Sequence, residues 1–355
     1  MNASRIHHVL EAFAFGDAMG MPTQMLTHER ALQVIDQDGL MGSAPADNPV
    51  CPGLAGATIT DDTHQMLILA DNLIAGDGDF DSRKFARDLL QWEADMAATG
   101  SQDLLGPSTK AALLALAQVT DPYEVTLAGK TNGAAMRIPA VACAIPIMSV
   151  AGAEAMLSKI IEVNRISHNS PAANIGCAAI ATMISAGIDG LDYDIALDAA
   201  KMAAQVMCER LECDPTENYI ALRLTDVLFE IDHALAVGGE YQALRYIVDE
   251  VGTSLASNES VLAAFAVAHM SKGRLISVHE LEGTRSAFEA AEYAAKLGGD
   301  SDTIGAMACA MVAAFGRWDE FDNKAAEYVR HQNDLDLEPR AKALARLREN
   351  YRDVI

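Results

Sequence analysis

The sequence predicts an all-α fold, a single helical bundle, and three observations carry that expectation. Half of the 355 residues are hydrophobic, but aromatics make up only 5%. Ala and Met are abundant, which suits helices better than the β-branched and aromatic residues of sheets. Apolar residues recur at helical rather than alternating spacing along most of the chain. The windows 172–187 and 303–315 are apolar nearly all round, as helices at the centre of a large bundle are.

Taken in order, an opening helix carries His7 and His8, which read as solvent-facing or core histidines rather than ligands. Residues 62–74 place Met66, Leu69, Leu73 and Ile74 on one stripe. The motif Asp77-Gly78-Asp79-Phe80-Asp81 imitates a calcium loop, but Ser82 stands where the sharp turn needs Gly and Asp88 where a bidentate Glu belongs. A helix-start turn is the better reading. Further helices are expected over 80–97, 172–187, 194–207, 216–234, 239–251, 260–268 and 303–315. The last, 338–352, presents Ala341, Leu344, Leu347 and Tyr351 on one face and arginines on the other, a surface helix packed against the body. Irregular segments fall at 21–59, 100–107, 129–139 and 166–171. A forty-residue loop inside a compact domain is unusual unless it serves a site. With no linker, repeat or charge block, residues 1–355 are expected to form one domain, the segment 317–355 being a C-terminal helical extension.

Twenty-six basic side chains against 50 acidic ones give a net charge of −24. Such a surface argues against nonspecific binding of nucleic acid or anionic membrane, which needs positive charge to release counterions. The most apolar stretch, 138–152, contains Pro139 and Pro146 and falls short of the ~20 residues that span a bilayer. The N-terminus lacks the charged and apolar regions of a signal peptide, so a cytoplasmic location is expected. Six scattered cysteines without a CxxC pair argue for buried thiols, Cys208 and Cys213 included, rather than zinc or disulfides. Monomer and homodimer both remain open.

Two acidic clusters stand out, Thr60-Asp61-Asp62-Thr63 before the 62–74 helix and Asp300-Ser301-Asp302-Thr303 before the 303–315 helix. Each could simply cap its helix. A cap needs one acceptor, however, and each cluster stacks two carboxylates before an apolar helix. If the two helices pack side by side, four carboxylates converge, at a heavy desolvation cost unless a cation joins them. Oxygen ligands alone point to Mg²⁺, Mn²⁺ or Ca²⁺ rather than Zn²⁺. Two hard cations could orient the vicinal hydroxyls of a sugar and polarise water. His64, next to the first cluster, reads as a plain helix residue or an outer supporter of such a site.

Together with Phe15-Gly16-Asp17-Ala18-Met19-Gly20-Met21-Pro22, Thr131-Asn132-Gly133-Ala134-Ala135-Met136-Arg137 and Ser167-His168, these clusters resemble, in order and spacing, the ADP-ribosylglycohydrolase family, over about residues 6–316. The resemblance implies an orthogonal all-α bundle with a binuclear centre at one end, holding two Mg²⁺ ions or Mn²⁺. It implies metal ligands at Thr60, Asp61, Asp62, Asp300, Asp302 and Thr303, with Asp17 supporting them. It places Asn132 and Gly133 by the phosphates of ADP-ribose and His168 by the nucleotide. The implied reaction is removal of ADP-ribose from a modified acceptor by water attack at the anomeric carbon, with Asp61 and Asp302 in the catalytic set. Glycines and backbone N–H groups at a loop-to-helix turn suit a pyrophosphate, and nearby negative charge suits an oxocarbenium-like state.

The proton-transfer group is where the sequence departs from the family. Gln24 stands where many relatives carry a glutamate; its amide can ligate a cation but cannot shuttle a proton. Glu29 would substitute if its loop folds back, and Asp103 lies near where some relatives carry a catalytic aspartate. Two rival readings follow: a hydrolase of free nucleosides or ADP-ribosyl metabolites, and a catalytically weak ADP-ribose binder or immunity protein.

Overall fold

The computed structural model describes residues 2–98, 106–116, 129–271, 286–316 and 318–353. Among these residues the regular structure is helical, as the composition predicts, and β structure is confined to isolated bridge positions, among them the antiparallel bridge between Thr131 and Ala256. The helices are α1 (Asn2–Gly20), α2 (His28–Asp38), α3 (Asp61–Ala75), α4 (Ser82–Ala98), α5 (Pro107–Leu116), α6 (Pro139–Ala144), α7 (Val150–Asn164), α8 (Pro171–Asp189), α9 (Tyr193–Arg210), α10 (Tyr219–Tyr246), α11 (Ser257–Met270), α12 (Ala287–Leu297), α13 (Ser301–Ala313), α14 (Glu320–Asn333) and α15 (Glu338–Asp353). The α10 span breaks at Gly239, whose φ of 68° lies outside helical values, so the two helices expected over 216–251 meet there at a kink.

Helices α1, α8, α11 and α13 form the centre. Nearly every side chain of α13 is buried, as is most of α8, matching their all-round apolar sequences. Although α8 is long and apolar enough to cross a membrane, it lies inside the bundle. The tightest packing joins α1 to α13. Glycine makes it possible: a Cβ on Gly16 would lie 2.5 Å from the Gly305 carbonyl oxygen, and one on Gly20 would strike the backbone of Ser301 and Asp302. This approach carries the acidic start of α13 against the end of α1.

Three expectations need correction. The 21–59 segment is not wholly irregular, since it contains α2, capped by Thr27, whose Oγ1 accepts from the Arg30 amide. Its start was obscured because its few apolar residues, such as Ala31 and Val34, make a narrow stripe. Helices α5, α6, α7, α12 and α14 were also not anticipated; α7 and α12 open with serine caps, Ser149 and Ser286, that mark their starts. Finally, Cys208 and Cys213 form a disulfide, while Cys51, Cys143, Cys177 and Cys309 are buried thiols as expected. A turn after α9 brings the pair together, their Cα atoms 5.4 Å apart. The 77–81 motif is the expected helix-start turn: Asp81 Oδ1 accepts from the Arg83 and Lys84 amides.

Candidate metal centre and substrate pocket

Two helix N-termini meet at the site. Thr60 caps α3, its backbone extended and its Oγ1 accepting from the Asp62 amide. At α13, Asp300 occupies the cap position but makes no side-chain cap. Its carboxylate accepts instead from Asn132 Nδ2, which also donates to Ser260 Oγ at 3.0 Å. Simple capping therefore accounts for Thr60 and leaves the aspartates free for other partners.

Five buried or cavity-lining carboxylates gather here: Asp17 from α1, Asp61 and Asp62 from α3, and Asp300 and Asp302 at the start of α13. Ligand oxygens of Asp17, Asp62 and Asp302 lie within 4.8 Å of one another. Burial pushes Asp17 and Asp300 up to about 6. Asp61 rises to about 7, through burial and then the charges of Asp17 and Asp300. Asp62 and Asp302 stand well above the usual carboxylate range, for burial first and neighbouring carboxylates second.

Asp17 differs from the others. Its two oxygens accept from the backbone amides and hydroxyls of both Thr60 and Thr63, so it clamps the first turn of α3. Thr60 has one hydroxyl hydrogen, and Asp17 Oδ1 at 2.8 Å is a nearer acceptor than Asp62 Oδ2 at 3.2 Å. With that hydrogen on Asp17, Thr60 Oγ1 and Asp62 Oδ2 face each other as lone-pair oxygens. Asp62 Oδ1 has no hydrogen-bond partner among the described residues. A buried, orphaned carboxylate oxygen beside other lone pairs, in an all-oxygen set, fits a hard divalent cation.

The cluster borders a cavity of about 230 Å³. Asp61, Asp62, Asp300, Asp302 and Thr303 line it, as do Gln24, Thr131, Asn132, Gly133 and His168. Thr60 is not on the lining and meets the cluster through Asp17 and Asp62. The chain around residues 129–133 is tied to the start of α11: the Asn132 amide donates to the Leu255 carbonyl at 2.9 Å and Ser257 Oγ to the Thr131 carbonyl at 2.8 Å. Gly133 gives room to His168, since a Cβ there would come within 2.9 Å of the imidazole. His168 is lowered to about 3 by burial and then by the charge of Arg137, so the ring is neutral. On the other side, Gly298 and Gly299 both have positive φ, and the turn they form holds the 24–26 segment through bonds from Met25 to Gly299 and from Gly299 to Leu26. Gln24 is thereby held at the cavity, its Nε2 3.4 Å from Cys51 Sγ.

Other candidates sit elsewhere. Glu29 does not fold back; it is exposed at the start of α2 and pairs with Arg245 at 2.9 Å. Asp103 lies outside the described residues. His64 packs on Trp92 along a separate groove on another side of α3. Sequence reasoning missed Gln65, whose Nε2 donates to Asp61 Oδ2 at 2.7 Å; its place four residues after Asp61, on the same helix face, was the available signal. It also passed over Thr131, Arg137 and Ser167 as site residues although they lie within the quoted motifs.

Comparison with known proteins places this geometry. A family model described as ADP-ribosylglycohydrolase matches residues 2–353, well past the last motif and through both C-terminal helices. The chain is 30% identical over 349 residues to the uncharacterized protein YegU of Escherichia coli K12, covering 98% of each chain. It is 25% identical over 315 residues, 88% of each, to an uncharacterized protein of Archaeoglobus fulgidus. A solved structure titled ADP-ribosylglycohydrolase-related protein complex shares the fold, with a TM-score of 0.59 at 22% identity over 98% of each chain. The all-α architecture and the match along nearly its whole length agree: the chain belongs to the ADP-ribosylglycohydrolase family.

Proposed function

We propose that this protein is a divalent-cation-dependent hydrolase that releases ADP-ribose from a modified acceptor by attack of water at the anomeric ribose carbon. The observation that carries the reading is the gathering of carboxylates at a cavity, with Asp62 Oδ1 lacking any partner among the described residues. In this reading Thr60, Asp61, Asp62, Asp300, Asp302 and Thr303 hold two Mg²⁺ or Mn²⁺ ions, and residues 1–355 act as one domain. Bound there, the cations supply Lewis acidity toward the ribose hydroxyls and the attacking water. Asp17 keeps α3 in register by occupying the hydrogens of Thr60 and Thr63. Asn132 and Gly133 receive the phosphates, and His168, neutral and fixed, borders the nucleotide. Negative charge at the cavity favours the oxocarbenium-like state over the neutral glycoside. Asp61 and Asp302, facing the cavity, are the carboxylates placed to take a proton from water, and Asp103 remains a proposed partner in that step.

Gln24 favours a second reading, a weak catalyst that mainly binds ADP-ribose, because an amide at the cavity cannot accept and return a proton. Chromatographic release of ADP-ribose from arginine-linked and serine-linked substrates, with Mg²⁺, Mn²⁺ or EDTA, tests both. Release that EDTA abolishes supports the hydrolase and identifies the linkage. No release from wild type, with turnover appearing in Gln24→Glu, supports the binder. Metal-independent release sinks the cation reading.

A further inference from the structure

Arg137 is wholly buried, yet among the described residues it forms no ion pair. Its guanidinium packs over the Phe85 ring and directs Nη1 and Nη2 at two neutral side chains, while Nε finds no partner among the described residues. Nη1 donates to Gln65 Oε1 at 3.3 Å and Nη2 to Ser167 Oγ at 2.5 Å. A guanidinium only donates, so both neighbours must accept.

The consequences run in two directions. Toward the metal centre, Gln65 must turn Oε1 to Arg137, which aims Nε2 at Asp61 Oδ2 and leaves Asp61 Oδ1 free of it. Toward the opposite part of the cavity, Ser167 Oγ accepts from Arg137, and its single hydrogen finds His168 Nδ1 at 3.0 Å. The ring is neutral, so the proton sits on Nε2, which donates to Thr131 Oγ1 at 3.0 Å. Among the described residues the reverse tautomer would bury the Ser167 hydroxyl hydrogen without an acceptor, a costly arrangement. Thr131, on the cavity lining, then has its hydroxyl hydrogen free of any protein acceptor among the described residues.

We propose that Arg137 is a positioning residue that sets the polarity of this whole hydrogen-bond chain, and that Thr131 is in consequence a ligand-binding donor, offering its hydroxyl hydrogen to an acceptor oxygen of the substrate. That the substrate is an ADP-ribosyl group rests on the function proposed above; the polarity does not.

Two measurements on the full chain test it. Nitrogen-15 NMR of histidine-labelled protein, with the His168 signals identified by their loss in His168→Gln, reads the tautomer without any ligand. Nδ1 bare and Nε2 protonated from pH 8 to 5 is expected, with the other tautomer appearing in Ser167→Ala; an Nδ1-protonated ring in the wild type overturns the proposal. Calorimetric titration with ADP-ribose is expected to show about tenfold weaker binding for Thr131→Val and near-wild-type binding for Thr131→Ser. Equal affinity of Thr131→Val and wild type overturns the role of Thr131. Wild-type protein that does not bind ADP-ribose refutes the proposed function and removes Thr131's ligand, while the tautomer still decides the role of Arg137. Arg137→Met is a harsher probe that removes a buried cation, and the Ser167 and Thr131 variants keep the test intact if it fails to fold.

Discussion

Asp62 has one carboxylate oxygen that no described protein group satisfies, and Asp302 shares its buried setting. A cation that binds only the folded state at 100 times its dissociation constant stabilises by about 2.7 kcal/mol. Asp302→Asn should forfeit most of the melting-temperature rise produced by Mg²⁺ or Mn²⁺ and abolish release of ADP-ribose; an undiminished rise would place the cation elsewhere. The metal-free protein has a further signature. Asp17, Asp61 and Asp300 are raised from 3.8 to about 6, 7 and 6. Between these limits the native state holds protons that the unfolded chain has released. The cluster's contribution is therefore intact below about pH 4 and is lost as pH rises through 6 to 7. Desolvated histidines work the other way: half-buried His8 and His64 and buried His168, lowered to about 4, 4 and 3, cost stability as pH falls below 6.5. Comparison with Asp61→Asn/Asp300→Asn separates the two. In EDTA, wild type should lose more melting temperature between pH 5 and 8 than this double variant, and equal losses would exclude the cluster as the source.

At the scale of elements, the site depends on how closely α1 and α13 approach. A Cβ on Gly305 would come within 2.6 Å of the Gly16 carbonyl oxygen and 3.3 Å of Ala294 Cβ, so backbone must shift to admit it. Gly305→Ala should destabilise the protein by about 1–3 kcal/mol in chemical denaturation. Because α13 brings Asp300, Asp302 and Thr303, the same variant should also weaken the metal-induced rise in melting temperature. A variant as stable as wild type would mean that the two helices have slack. Much of this element was legible in advance: its all-round apolar sequence marked a central helix, and the acidic cluster marked its start. That Asp300 turns away from capping was not legible, since its acceptor choice depends on Asn132, 168 residues away in sequence.

Across the whole molecule, the C-terminal helix is anchored by a buried ion pair. Arg348, fully inaccessible on α15, pairs with Asp189 at 2.9 Å and donates to the Ala142, Ile145 and Ser185 carbonyls. Arg348→Met takes the guanidinium away from the buried Asp189 carboxylate, and breaking a buried ion pair costs about 3–5 kcal/mol. A drop of that size in denaturant unfolding is expected, and a change under about 1 kcal/mol would show α15 to be only loosely tied. The sequence read the arginines of this helix as a solvated face, which misplaces Arg348: one position among several arginines dives inward, and only the ends of α6 and α8 reveal why. By itself the sequence determined that the chain is helical, that α8 and α13 lie at the centre, and which acidic clusters head α3 and α13, because periodicity and residue chemistry are local properties. Only the tertiary structure decided that the clusters meet, that Asp17 occupies the hydroxyl hydrogens of Thr60 and Thr63, that Cys208 joins Cys213, and that Gln65, Arg137, Ser167, His168 and Thr131 form one directed chain. Those are contacts between distant segments, and desolvation and hydrogen-bond direction acquire values only once packing has chosen the neighbours.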